Sequence, residues 1–83
     1  MRIYPNPSKP GECITVKFNS QVSSQYLIKI IDATGRTLLA KEGQAGKGSN
    51  FITLDPSRLP KGVYLVVLKG EDSSNVTKLV IEE

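Results

Sequence analysis

Hydrophobic and polar positions alternate with a period of two along most of the chain. The apolar residues Ile14, Val16 and Phe18 are separated by polar ones. The same alternation recurs around residues 26–31, 64–69 and 77–82. Successive side chains of a β-strand point to opposite faces, so this period indicates half-buried strands rather than helices. We predict seven strands, at about residues 2–5, 12–19, 25–32, 36–42, 50–54, 62–69 and 76–82.

Turn-forming residues separate these segments. The sequence Asp32-Ala33-Thr34-Gly35 predicts a tight turn, because an aspartate at its first position can accept backbone N–H groups and a glycine at its fourth tolerates positive φ. The glycine-rich stretch 43–48 predicts a mobile hairpin loop, residues 55–59 a single N-capped turn, and residues 71–75 a polar hairpin loop. Residues 36–42 favour a helix by composition, but they are too few for a stable helix, so a strand is predicted there.

Short strands at this spacing predict an all-β fold, a seven-stranded antiparallel immunoglobulin-like β-sandwich, formed by residues 1–83 as a single domain. Tyr64, near the start of its strand, is either an ordinary core residue or a "tyrosine corner" whose hydroxyl bonds to upstream backbone. The alternation predicts a core of Ile14, Val16, Phe18, Ile28, Ile30, Tyr64, Val66, Leu68, Leu79 and Ile81.

Composition argues against a catalytic or metal-binding role. The chain contains no histidine, which is the commonest general base and a common metal ligand, and its one cysteine, Cys13, has no histidine to activate it. Residues 43–49 lack the spacing of a phosphate-binding loop. The 11 basic residues are scattered rather than clustered, which disfavours nucleic-acid binding. We therefore expect no enzymatic activity, no cofactor and no metal.

Five motifs occur in order along the chain: Tyr4-Pro5-Asn6-Pro7, residues 28–36, Gly48-Ser49-Asn50, residues 59–66 and residues 77–82. Together they resemble the type A C-terminal sorting domain of the Bacteroidetes type IX secretion system, over nearly the whole chain. Two departures from that pattern are the acidic end Glu82-Glu83 and an additional turn at Pro10-Gly11.

The resemblance implies that the chain is a non-catalytic C-terminal signal, part of a larger secreted protein. Its upstream cargo would pass through the periplasm and cross the outer membrane to the cell surface or the medium. The implied partners are the outer-membrane secretion machinery and a sortase-like protease that removes the domain, with no nucleic acid and no membrane insertion, and we expect a monomer. The residues that match the family's last two motifs, and that we predict the machinery recognises, are Lys61, Gly62, Tyr64, Lys78, Leu79, Val80 and Ile81.

An alternative function stays open from the sequence alone. The chain could be an immunoglobulin-like accessory or carbohydrate-binding module of a secreted bacterial enzyme. An exposed row of aromatic side chains would favour that alternative. Phe18, Tyr26 and Tyr64 are in phase with apolar neighbours and are expected to face the core, so only Tyr4 and Phe51 are available for such a row.

Overall fold

The computed structural model describes residues 1–56, 59–71 and 73–82, and within these ranges it contains seven strands. The strands are β1 (Arg2–Tyr4), β2 (Ile14–Ser20), β3 (Ser24–Ile31), β4 (Thr37–Ala45), β5 (Gly48–Leu54), β6 (Gly62–Lys69) and β7 (Ser74–Ile81). All seven predicted strands are present, including the one at 36–42, with ends that differ by up to three residues. The described residues include no helix of the length and hydrophobicity that a membrane-spanning segment needs.

The strands form two antiparallel sheets within the described part of the chain. One sheet has the order β1-β2-β5 and the other has the order β4-β3-β6-β7. The two are packed as a sandwich, which confirms the predicted immunoglobulin-like fold. The strands β1, β5, β4 and β7 lie at the edges of their sheets, so the C-terminal strand β7 has one side without a neighbouring strand.

The core lies between the sheets and contains every residue that the alternation predicted. Ile14, Ile30, Val66 and Leu79 are fully buried, and Phe18 packs edge-to-face against the half-buried Tyr26 with ring centroids 5.9 Å apart. Ile3, Ala45, Ile52 and Leu54 complete the buried hydrophobic set together with the predicted residues. Because β6 buries Val66 and leaves Val67 only half-buried, the predicted phase of that strand is correct.

The turn at residues 32–35 forms as predicted. The Asp32 carboxylate accepts the backbone N–H groups of Thr34 at 2.9 Å and Arg36 at 3.0 Å. Gly35 has a φ of 88°, in the left-handed region that glycine adopts at little cost. The predicted turn at 55–59 includes Ser57 and Arg58, which lie outside the described residues. The N–H of Leu59 donates to the carbonyl of Pro56 at 2.9 Å.

The prediction of a mobile hairpin loop over residues 43–48 is wrong. Gly43, Gln44 and Ala45 continue β4, and β5 begins at Gly48, in the other sheet. Gly43 lies opposite Tyr26 in the β3–β4 ladder, where a Cβ would overlap the tyrosine ring, so the glycine is needed for a close approach rather than for a loop.

The chain crosses between the two sheets at residues 46 and 47. There the Asn50 side chain accepts from the N–H of Gly46 at 2.9 Å and donates to its carbonyl at 2.8 Å. The same amide nitrogen also donates to the carbonyl of Gly48 at 3.1 Å. These bonds fix the crossing and give Asn50 a structural role within the Gly48-Ser49-Asn50 motif.

Candidate functional site

The two motifs nearest the C-terminus are direct neighbours in the four-stranded sheet. β6 and β7 pair antiparallel, with Gly62 opposite Ile81, Tyr64 opposite Leu79, and Leu65 opposite Lys78. Residues that are 13 to 19 positions apart in the sequence are thereby adjacent across one ladder. The predicted recognition residues therefore form one continuous region, which we call the paired motif and define as residues 61–65 and 78–81.

The paired motif has a buried side and an exposed side. Tyr64, Leu79 and Ile81 point into the core and are almost completely inaccessible to solvent. Lys61 and Lys78 are exposed, and Val80 is half-buried on the solvent side of β7. Direct contact with a partner is open to the exposed side chains, while the buried ones set the position of the strands that carry them.

The Tyr64 hydroxyl settles one alternative that the sequence left open. It donates to the carbonyl oxygen of Pro60, four residues upstream. This is the tyrosine corner found in immunoglobulin-like sandwiches. The bond ties Pro60, which directly precedes Lys61, to the start of β6, so the position of Lys61 depends on the buried tyrosine.

The segment Tyr4-Pro5-Asn6-Pro7 lies along the outer side of β7. The Asn6 amide donates to the carbonyl of Lys78 at 2.8 Å and accepts from the N–H of Val80 at 3.0 Å. These are the bonds that the backbone of a neighbouring strand would make. The side chain of Asn6 therefore substitutes for one residue of an additional strand.

Ser8 continues this coverage with its backbone. Its N–H donates to the carbonyl of Val80 at 2.9 Å, and its carbonyl accepts the N–H of Glu82 at 2.8 Å, which forms a parallel bridge to Ile81. We call residues 5–8 the edge clamp. The clamp covers the part of β7 that belongs to the paired motif and does not extend to the beginning of the strand.

The Tyr4–Pro7 motif is visible in the sequence, but the local pattern predicts no role for Asn6 or Ser8. One signal could have pointed to the asparagine, because it stands between two prolines. Proline has no backbone N–H, so in such a segment a side-chain amide is the group able to donate to a neighbouring strand. The identity of that neighbour depends on a contact across more than seventy residues, which local patterns do not reveal.

The turn at residues 32–35 lies at the same end of the four-stranded sheet as the paired motif. Ile31, immediately before the turn, is opposite Leu65 in the β3–β6 ladder. The pKa of Asp32 lies below its ordinary value, mainly because the Thr34 hydroxyl donates a hydrogen bond to the carboxylate at 2.6 Å. The bonds from the backbone N–H groups of Arg36 and Thr34 and the charge of Arg36 lower the pKa further. The guanidinium of Arg36 is 3.2 Å from Asp32. Four of the five motifs thus meet at one end of the molecule.

Three further features of the described residues bear on metal or substrate binding. No group of three or more histidine, cysteine, aspartate or glutamate side chains is placed to hold a metal within the described ranges. Cys13 is exposed. Two open depressions, around Gln25–Leu27 and around Phe18–Val22, lie at the end of the sandwich opposite the paired motif.

The aromatic side chains available for sugar binding are few among the described residues. Tyr4 and Phe51 are exposed on the outer face of the three-stranded sheet. They lie two strands apart, opposite Thr15 and Lys17 of β2, and the Lys17 ammonium is 5.8 Å from the centre of the Phe51 ring. They do not form the row that the carbohydrate-binding alternative requires.

The comparisons with known proteins identify the family of the chain. A search of curated proteins finds no match to the chain. The family model described as a secretion system C-terminal sorting domain matches residues 2–82, which is nearly the whole chain and includes all five motifs. The chain therefore belongs to the family of C-terminal sorting domains of the type IX secretion system.

Proposed function

We propose that this domain directs an upstream cargo protein through the periplasm and across the outer membrane, and that the secretion machinery recognises it at the exposed side of the paired motif. The observation that carries the proposal is the register of β6 and β7, which brings two separate motifs into one region. The domain acts as a monomer without catalysis of its own. A sortase-like protease removes it once the cargo has crossed.

Within the paired motif, contact with the machinery is assigned to Lys61, Lys78 and Val80. Lys61 and Lys78 supply positive charge at an end of the sheet where the Asp32 carboxylate is already paired with Arg36. Exposed charges of this kind steer a partner and fix its orientation more than they add affinity. Gly62, Tyr64, Leu79 and Ile81 hold the two strands in register.

An export assay tests the proposal. Residues 1–83 are fused to a fluorescent reporter that is directed to the periplasm of a type IX-competent bacterium, and the fraction that reaches the surface or medium is measured. We expect export of the wild-type fusion. The double variant Lys61→Glu/Lys78→Glu should be exported far less efficiently, because reversed charges raise the cost of docking. Its stability should change by only about 0.5 kcal/mol, since both side chains are exposed.

A matched variant separates recognition from net charge. Lys17→Glu/Lys47→Glu makes the same change in charge on residues distant from the paired motif and should be exported normally. Retention of the wild-type fusion in the periplasm would refute the sorting function for this domain. Normal export of Lys61→Glu/Lys78→Glu would leave that function in place and remove both lysines from the recognition surface.

A further inference from the structure

The outer face of the four-stranded sheet is unusually apolar for a surface that no other element of the described residues covers. On β6, Val63 and Leu65 are 56% and 39% exposed and Val67 is half-buried. On β7, Val76 is 58% exposed and Val80 half-buried. An antiparallel sheet with one face in water ordinarily places polar residues at these alternate positions.

The ladder register joins these residues into one patch. Val67 lies opposite Val76, and Val63 lies opposite Val80. On β3, which pairs with the other side of β6, Ile31 lies opposite Leu65, and the half-buried Leu27 lies on the same face four residues earlier. The patch therefore extends over three adjacent strands. Contiguous exposed apolar patches of this kind mark interaction surfaces.

Lysines are interspersed among the apolar positions rather than placed at the border of the patch. Lys29 lies opposite Val67, Lys69 opposite Leu27, and Lys78 opposite Leu65. Among the described residues on this face, the ladder places one carboxylate, that of Glu42, which lies on β4 opposite Leu27. The face is thus apolar with an excess of positive charge.

The outer face of the three-stranded sheet provides a contrast within the same molecule. Its positions are Arg2 and Tyr4 on β1, Thr15 and Lys17 on β2, and Phe51 and Thr53 on β5. Two aromatic side chains, Tyr4 and Phe51, are exposed there on separate strands, and their neighbours on this face are polar. The apolar character of the other face is therefore not a general property of this small sandwich.

We propose that the outer face of the four-stranded sheet docks onto a protein surface that is apolar and carries carboxylates opposite Lys29, Lys69 and Lys78. Apolar side chains would supply the buried area, and the three lysines would select an acidic partner and fix its orientation. The inference rests on the proposed function and deepens it, because it gives the chemistry of the machinery's surface and enlarges the contact beyond the paired motif.

Charge decides against two other occupants. A second copy of this chain, docked through the same face, would oppose lysines to lysines, which is unfavourable. A lipid bilayer would have to take Lys29 and Lys69 into its apolar region along with the valines beside them, and that is costly. Surfaces that bind membranes separate an apolar side with aromatic anchors from a cationic side, whereas this face mixes the two and presents no aromatic residue at these positions.

The test uses positions on this face that lie outside the paired motif. In the same export assay, Val67→Thr/Val76→Thr and Lys29→Glu/Lys69→Glu are compared with Phe51→Thr and Lys17→Glu on the opposite sheet. Threonine keeps the β-branched shape, so folding should be preserved, and melting temperatures verify this. We expect each outer-face variant to lower the exported fraction at least about tenfold, which corresponds to roughly 1.4 kcal/mol of lost docking free energy, and we expect the opposite-face variants to match the wild type.

Several results would overturn the inference. Normal export of both outer-face variants while Lys61→Glu/Lys78→Glu fails would leave the proposed function standing and reject the docking face. Retention of the wild-type fusion would reject both. Binding of the purified domain to phosphatidylglycerol vesicles, lost in Val67→Thr/Val76→Thr, would assign the face to lipid. A dimer in analytical ultracentrifugation, lost in the same variant, would assign it to self-association.

Discussion

The residues of the paired motif fall into a buried group and an exposed group. Leu79 and Ile81 are buried in the core, as is the ring of Tyr64, whereas Lys61 and Lys78 are in solvent. A loss of export in a variant of the first group therefore reports on folding unless stability is measured as well. Only the second group can test recognition without that ambiguity.

The tyrosine corner gives a prediction for Tyr64→Phe. The change removes the hydroxyl and its bond to Pro60 but keeps the ring in the core. We expect the free energy of unfolding to fall by about 1 kcal/mol, which is typical for the loss of one partly buried hydrogen bond. Urea melts measure this change, and Tyr4→Phe, at an exposed tyrosine, is the control. An unchanged stability would show that the corner does not contribute to the fold.

The low pKa of Asp32 predicts a specific acid response. Because the folded state favours the charged carboxylate, the pKa of Asp32 lies below the ordinary value of 3.8. The carboxylate therefore stabilises the folded state at pH values above 3.8. This contribution is lost as the pH falls through the folded pKa. The carboxyl resonance of Asp32 in an NMR titration should have its midpoint below 3.8. Thr34→Ala should raise the midpoint, since the Thr34 hydroxyl is the largest cause, while Thr34→Ser should keep it low.

At the scale of the elements, the arrangement around β7 is asymmetric. One side of the strand pairs with β6 over its whole length, whereas the edge clamp covers only the part from Lys78 to Glu82 on the other side. Exposed strand edges promote association between molecules, and proteins shield them in various ways. Here a four-residue segment with two prolines shields the edge and leaves the outer face of the sheet accessible.

The edge clamp gives a prediction for Asn6→Ala. The variant loses one donated and one accepted bond, so we expect about 1–2 kcal/mol less stability and faster hydrogen exchange at the Val80 amide. Asn6→Asp keeps an acceptor for the Val80 N–H but cannot donate to the Lys78 carbonyl. Its stability and its Val80 exchange rate should lie between those of the wild type and Asn6→Ala. Asn75→Ala, also exposed and on β7 itself, should leave Val80 exchange unchanged. Equal exchange in Asn6→Ala and the wild type would contradict the clamp.

At the scale of the whole molecule, the strands and the core could be predicted from local sequence patterns. The contacts between distant segments, such as those of Asn6 with β7, could not. Alternation defined the strands and the core because one face of each sheet is buried, which ties the sequence to a period of two. Gly43 misled the prediction, since glycine marks loops in local patterns, while here it accommodates the Tyr26 ring across a ladder. The pairing of the motifs and the bonds of Asn6 depend on long-range register, which no local pattern contains.

The edge clamp also has a consequence for the order of folding events. Asn6 bonds to Lys78 and Val80 across 72 and 74 residues, so these contacts close a loop that contains most of the domain. Contacts of such high sequence separation cost the most chain entropy and slow folding. The clamp can bond only after β7 has joined the sheet, so a chain interrupted before its last strand leaves residues 5–8 without their partner. The end of the sandwich where four of the five motifs meet is therefore complete only on a chain that includes β7.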